Sequence, residues 1–267
     1  MPLKCFYDIS RVQENDRNEY PGFFAKFFYL IYSSIDTGLD EESYLKRIAR
    51  TNGKILEAGA GTGRLFIEAL KTGADIYGID ISPAMVEKLR SKLDGKDQGR
   101  VILKDIRDMN LNVTFDLIIA PFRVFMHVIE TEDQLKALYC VYKHLNPGGL
   151  FIFDVFITDP EILLKGINEQ KDFEGEYEPG RKVTRIASSK ADPLRQINEV
   201  NMRLEWDEGG VLNSDSWNVK MRYFYRYELE NLIARSPLKL VDIYGDSEGR
   251  ELTSDSKNFV VVCKKEF

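Results

Sequence analysis

Gly59, Gly61 and Gly63 fall within five positions directly after an apolar run, in the stretch ILEAGAGTGRL, and Glu57 stands two places before the first of them. Glycines at this spacing let the backbone turn through positive φ and bring main-chain atoms within reach of a ligand that a Cβ would hold off. Farther on, YGIDIS delivers Asp80, and LKDIRDM delivers Asp105 beside the apolar Ile106. One carboxylate at a strand tip suits the two hydroxyls of a ribose, and a second suits an exocyclic amine. Ile81, Met85 and Ile106 offer apolar surface to a base, so the set frames an adenosine. A pyrophosphate loop reads G-x-G-x-x-G and aims its anion at a helix N-terminus. This loop reads G-x-G-x-G, and Glu57 would repel a phosphate but suits a cation. The residues therefore point to an adenosyl compound bearing ammonium and sulfonium charge, with a dinucleotide as the rival.

Carboxylates and glycines so far apart in sequence can meet only if several strands end at one edge. KILEA, residues 54–58, reads as a buried strand, and TGRLFIEALKTG as a helix ended by Gly73. ADIYGID follows as a strand, and SPAMVEKLRSKL as a helix with Ser82 as N-cap and Pro83 in its first turn. Strands at about 100–104, 115–120 and 148–156 continue the pattern, with a helix from Thr131 carrying a capping box to Gln134. Only DIRDMNLNVT separates the third and fourth strands, too little for a regular crossover helix, so a degenerate one is expected there. Such alternation predicts an α/β, Rossmann-like doubly wound sheet, mainly parallel. Residues 157–225 break the rhythm. INEVNMRLEW and VKMRYFYRY alternate about a DEGG turn and predict an antiparallel β insertion, after which RYELENLIARS, LKLVDIYG and NFVVVCKK resume the main fold.

The motifs EAGAGTG, GIDIS, KDIRD and HLNPGGLFIFD, in that order, resemble those of class I S-adenosylmethionine-dependent methyltransferases. The resemblance implies S-adenosyl-L-methionine as cofactor and a seven-stranded sheet whose last strand is antiparallel. It implies that Glu57, Gly59, Ala60 and Gly61 line the methionine portion, that Asp80 holds the ribose, and that Ile81, Met85, Asp105 and Ile106 surround adenine. Ala120, Pro121 and Phe122 would wall the sulfonium. The core would comprise residues 1–156 and 226–267, with 1–40 as an N-terminal lid segment and 157–225 as a β-rich subdomain covering the substrate.

Methyl transfer from a sulfonium is a direct displacement, so the protein chiefly aligns the nucleophile and excludes water. His127 is the candidate acid or base, because imidazole titrates near neutrality. Tyr7, Tyr20, Arg123, Tyr223, Tyr225 and Arg226 are candidate substrate contacts. The chain lacks the Asn-Pro-Pro-Tyr type of motif after its fourth strand, reading IIAPFRVF instead, and 37 basic residues against 43 acidic ones disfavour a nucleic-acid partner. The expected acceptor is an N or O atom of a small molecule. A non-catalytic nucleoside-binding protein and an RNA methyltransferase are the alternatives. Three scattered cysteines, two histidines and no long apolar run predict a cytoplasmic protein, monomer or homodimer, with no metal and no membrane partner.

Overall fold

A computed structural model describes residues 20–35 and 39–266. Seven strands form the main sheet: β1 (Ile55–Ala58), β2 (Ile76–Asp80), β3 (Val101–Leu103), β4 (Phe115–Ala120), β5 (Leu145–Phe156), β10 (Lys239–Tyr244) and β11 (Asn258–Lys264), in the order β10-β11-β5-β4-β1-β2-β3. All neighbours pair in parallel except β11, which runs antiparallel to both β5 and β10. The last strand is thus antiparallel, as the sequence led us to expect, and it lies inside the edge strand β10.

Period-two alternation sorts the strand side chains into two layers. Leu117, Ile119, Ile152, Val260 and Val262 face one side, covered by α2 (Leu39–Ala49), α3 (Arg64–Lys71) and α4 (Pro83–Arg90). Ile118, Ala120, Phe151, Phe153 and Val261 face the other, under α5 (Thr131–His144) and α7 (Arg226–Ala234). Both faces being buried, the strands read as nearly continuous apolar runs. Between β3 and β4 the chain makes only a 3-10 turn at Ile106–Asp108, the degenerate crossover that its length demands. Strand order reverses between β1 and β4, which opens a crevice beyond their carboxyl ends.

Between β5 and α7 lie a short helix, α6 (Pro160–Lys165), and an antiparallel sheet of four strands: β6 (Ile167–Glu178), β7 (Arg181–Asp192), β8 (Ile197–Glu208) and β9 (Val211–Arg222). Gly209 and Gly210 connect the last two with φ of 69° and 84°, the positive pair that a tight hairpin turn requires. The sequence reading found β8 and β9 but not β6 or β7: β6 is a glutamate-rich polar run, and β7 carries few apolar residues among its basic and small polar ones, so neither shows a clear alternation. The inner face, carrying Phe173, Val183, Met202, Leu204 and Val219, packs on Phe24, Phe27 and Ile31 of α1 (Gly22–Ile35). That helix is apolar around much of its circumference because the sheet covers one side and a cavity borders another.

Two local expectations need correction. Thr131 is the first helical residue of α5, not its cap: Glu130 is the N-cap and makes no side-chain capping bond. The Gln134 side chain is instead buried, its amide nitrogen donating to the carbonyls of Val128 (2.9 Å) and Ile129 (3.2 Å). The strand predicted to run through Tyr225 stops at Arg222, where the chain turns into α7 with Tyr225 at its N-cap. No helix of the described residues is long and apolar enough to cross a membrane.

Candidate functional site

A cavity of about 770 Å³ opens beyond the carboxyl ends of β1, β2 and β4, roofed by α1 and by Met202 and Met221 of the small sheet. The glycine turn forms its floor. Gly59 and Ala60 donate backbone N–H to the Ile79 carbonyl at 2.8 and 3.0 Å, fastening the loop to the end of β2. Gly59 has φ of 74°, and a Cβ there would lie 2.3 Å from a methyl of Val124, so close approach as well as conformation demands glycine. Gly61, at φ of 54°, opens on the cavity: the nearest atom to a Cβ there would be in the Phe28 ring, at 3.8 Å.

Asp80 ends β2 with its carboxylate already engaged on one side, accepting from the N–H of Gly61 and of Ser82, each at 2.8 Å. It fixes the floor while presenting acceptor capacity to the cavity beside Ile81 and Met85. Asp105 accepts from the Arg107 backbone N–H at 2.8 Å and pairs with its guanidinium, the shortest contact being 2.6 Å. Both line the cavity with Ile106.

Glu57 is the electrostatic anomaly. Its side chain is 1% exposed, and its Oε2 has no hydrogen-bond partner among the described residues. Burial pushes its carboxyl well above the ordinary range; Arg64 opposes this, while Asp80 and Glu41 add to it. Retaining a buried carboxylate is costly unless a cation neutralises it, so an ammonium group fits this end of the cavity.

The opposite wall comes from the loop after β4. Phe122 lies beneath the Arg64 guanidinium, 3.7 Å from ring centroid to Cζ, and Arg123 approaches Asp40 at 3.9 Å. His127 borders the cavity with its ring centroid 6.0 Å from that of Tyr20, and burial pushes its imidazole down to about 4. It is therefore neutral near neutrality, but a weak base.

The structure gathers Glu57, Gly59, Ala60, Gly61, Asp80, Ile81, Met85, Asp105, Ile106, Phe122, Arg123, His127 and Tyr20 around one cavity. Ala120 and Pro121 do not line it; Ala120 is wholly buried in the sheet. Tyr223 is buried in the core, Tyr225 is 58% exposed, and Arg226 pairs with Glu230 at 2.9 Å. None of these three lines the cavity, because β9 ends before them and α7 carries them off. Tyr7 lies outside the described residues. Sequence reasoning missed Arg64 and Asp40, although a cation directly after the third glycine was a usable signal. A second, open depression at the other strand ends has its polar groups engaged: Asn146 donates to Asp116 at 2.9 Å, and Leu111 N–H donates to His144 at 2.9 Å.

A sequence profile described as a methyltransferase domain matches residues 55–149. The glycine/sarcosine N-methyltransferase of Halorhodospira halochloris is 25% identical over 269 residues, covering 97% of this chain and 94% of that protein. An S-adenosylmethionine-dependent methyltransferase from Clostridium acetobutylicum ATCC 824 superposes with a TM-score of 0.75 at 19% identity, covering 92% of this chain and 98% of that one. The sugar N-methyltransferase of Streptoalloteichus sp ATCC 53650 gives 0.72 at 18% identity, covering 98% of each.

Proposed function

We propose that this chain is a class I S-adenosylmethionine-dependent methyltransferase that methylates the nitrogen of a small-molecule amine, a reading supported by the methyltransferase-domain match over residues 55–149 and by the fold. The observation that carries this reading is the state of the bases around the cavity. His127, with its imidazole near 4, is a poor acceptor for an alcohol proton. Five of the six carboxylates that line the cavity are engaged as well: Asp80 with backbone amides, Asp105 with Arg107, Asp40 with Arg123, and Asp246 and Glu248 with Arg250. The sixth, Glu57, whose Oε2 has no partner among the described residues, belongs in this reading to the methionine end of the cofactor and not to the acceptor. An amine needs no such base once solvent has taken its proton, since it attacks through its own lone pair. The N-methyltransferase names of the relatives agree with this.

In this reading Glu57 and the Gly59–Gly61 turn hold the cationic methionine end, Asp80 the ribose, and Ile81, Met85, Asp105 and Ile106 the adenine. S-adenosylmethionine, when bound, supplies a methyl carbon activated by its sulfonium. Phe122, Tyr20 and His127 bound the space that the acceptor nitrogen must enter. Residues 157–225 together with α1 form the cover that excludes water.

The test is incubation with labelled cofactor and matched small amines and alcohols, including glycine, sarcosine and amino sugars, with the methylated atom identified by mass spectrometry. Transfer to oxygen alone would refute the amine assignment. The pH profile gives a second check: kcat/KM should rise tenfold per pH unit up to the acceptor amine's own pKa. His127→Asn should keep that limb and lose less than about tenfold in rate, below the roughly hundredfold low end of what a general base contributes; a loss above about a hundredfold would make His127 the base.

Glu57 yields a linked prediction. Its carboxyl holds a proton more tightly folded than unfolded, so the ligand-free protein should lose stability as pH rises from the ordinary carboxyl range toward the folded value. A bound ammonium favours the carboxylate, so cofactor affinity should increase over the same interval. Glu57→Gln should flatten both dependences and weaken binding about 10- to 100-fold, the worth of a charge-assisted hydrogen bond of roughly 1.5–3 kcal/mol. Calorimetry across pH would reveal it, and a pH-independent wild-type affinity would contradict the assignment.

A further inference from the structure

The loop after β4 contains an unexplained cost. Phe122 and Arg123 are consecutive non-glycine residues with φ of 57° and 69°, a left-handed pair that L side chains adopt only when the surroundings impose it. What imposes it lies behind the loop. Asp154, on the α2-facing side of β5, is 5% exposed and does not line the cavity. Its Oδ1 accepts from the Phe122 N–H at 2.8 Å, and its Oδ2 accepts from the Arg123 N–H at 3.1 Å. The Tyr44 hydroxyl of α2 donates to the same Oδ1 at 2.7 Å. Successive N–H groups in this conformation make a concave anion site, and here the anion is built into the sheet.

We infer that Asp154, oriented by Tyr44, is a positioning residue that holds the Phe122–Arg123 wall in its strained form and so aligns the acceptor. The inference rests on the methyltransferase reading above but not on the identity of the acceptor atom. Every side chain carried by this turn faces function: Phe122 stacks on Arg64, Arg123 meets Asp40, and Val124 packs against Gly59. Releasing the two amides lets the backbone leave the left-handed region and withdraws Phe122 and Arg123 together. The floor set by Asp80 and Glu57 belongs to other strands and stays in place.

Asp154→Asn tests this, because an amide retains one acceptor oxygen and turns an NH2 toward an N–H or O–H that needs an acceptor. The expected result is a fall of at least tenfold in kcat/KM for the acceptor, with cofactor Kd within about fivefold of wild type. Faster amide exchange confined to the peptide containing residues 121–124 should accompany it. Tyr44→Phe leaves both amide bonds and should give the same pattern at about a third of the size or less, and it decides the matter should the asparagine variant not fold. A role confined to stability would lower the melting temperature and leave the kinetic constants of both variants unchanged below the transition; that outcome overturns the inference. Because the comparison uses whichever acceptor the wild type turns over, methylation of oxygen would sink the amine reading while Asp154 is still read.

Discussion

Gly61→Val is expected to abolish measurable cofactor binding while the seven-stranded sheet stays folded. The protein itself leaves room for the new side chain, since a Cβ at Gly61 meets nothing closer than the Phe28 ring at 3.8 Å. That room belongs to the ligand, so the isopropyl group fills the methionine end of the cavity. A second cost is conformational: φ is 54° here, and a β-branched residue in the left-handed region costs roughly 1–2 kcal/mol. In a chain of this size that lowers the melting temperature by about 2–8 °C. Gly61→Ala separates the two effects, because it carries much of the strain with less of the bulk. Calorimetric titration should rank affinity as wild type, then alanine, then valine, with valine weaker by at least about a hundredfold, or 2.7 kcal/mol. Equal losses for the two variants would assign the effect to strain, and full affinity in the valine variant would remove the ligand from this turn.

Asp80→Ala should reduce cofactor affinity by about 100- to 1000-fold and also destabilise the free protein, a combination that separates it from Gly61→Val. The ribose would lose its acceptor, and the carboxylate also ties together three parts of the fold. It accepts from Gly61 of the glycine turn and from Ser82 at the start of α4. Ser82 in turn accepts from the Met85 N–H at 3.3 Å and donates to the Tyr20 carbonyl at 2.8 Å, at the entry to α1. Leaving the buried N–H of Ser82 without its acceptor costs about 1–3 kcal/mol, and the part-buried N–H of Gly61 adds less, so thermal denaturation should shift down by at least about 2 °C. Asp80→Asn, which keeps one acceptor oxygen, should fall between wild type and alanine in both measurements. Wild-type affinity in the alanine variant would place the ribose elsewhere.

The order of strands and helices, the short crossover and the glycine turn were legible from the sequence because each follows from neighbours only a few residues apart. Short apolar runs mark the strands that are buried on both faces, Ser82 caps the helix it precedes, and G-x-G-x-G allows the turn that Gly59 and Gly61 make. Asp80 was locatable because a strand end fixes where its last side chain points, whereas Asp105 lies two residues beyond β3 as the cap of the 3-10 turn. The tertiary structure alone decided which of the remaining candidates meet. Tyr223 and Tyr225 continue the alternation of β9 in sequence, yet the chain leaves the strand at Arg222 and takes them, with Arg226, away from the cavity. Arg64 becomes part of the wall only because Phe122, from a distant loop, lies beneath it. Asp154 was visible as a lone carboxylate in an apolar strand, but its partners Tyr44, Phe122 and Arg123 are 110, 32 and 31 positions away. Local pattern fixes what a backbone segment becomes; contacts across such separations are set by how the sheet, helices and cover pack, and that packing makes a carboxylate in β5 the support of a wall built after β4.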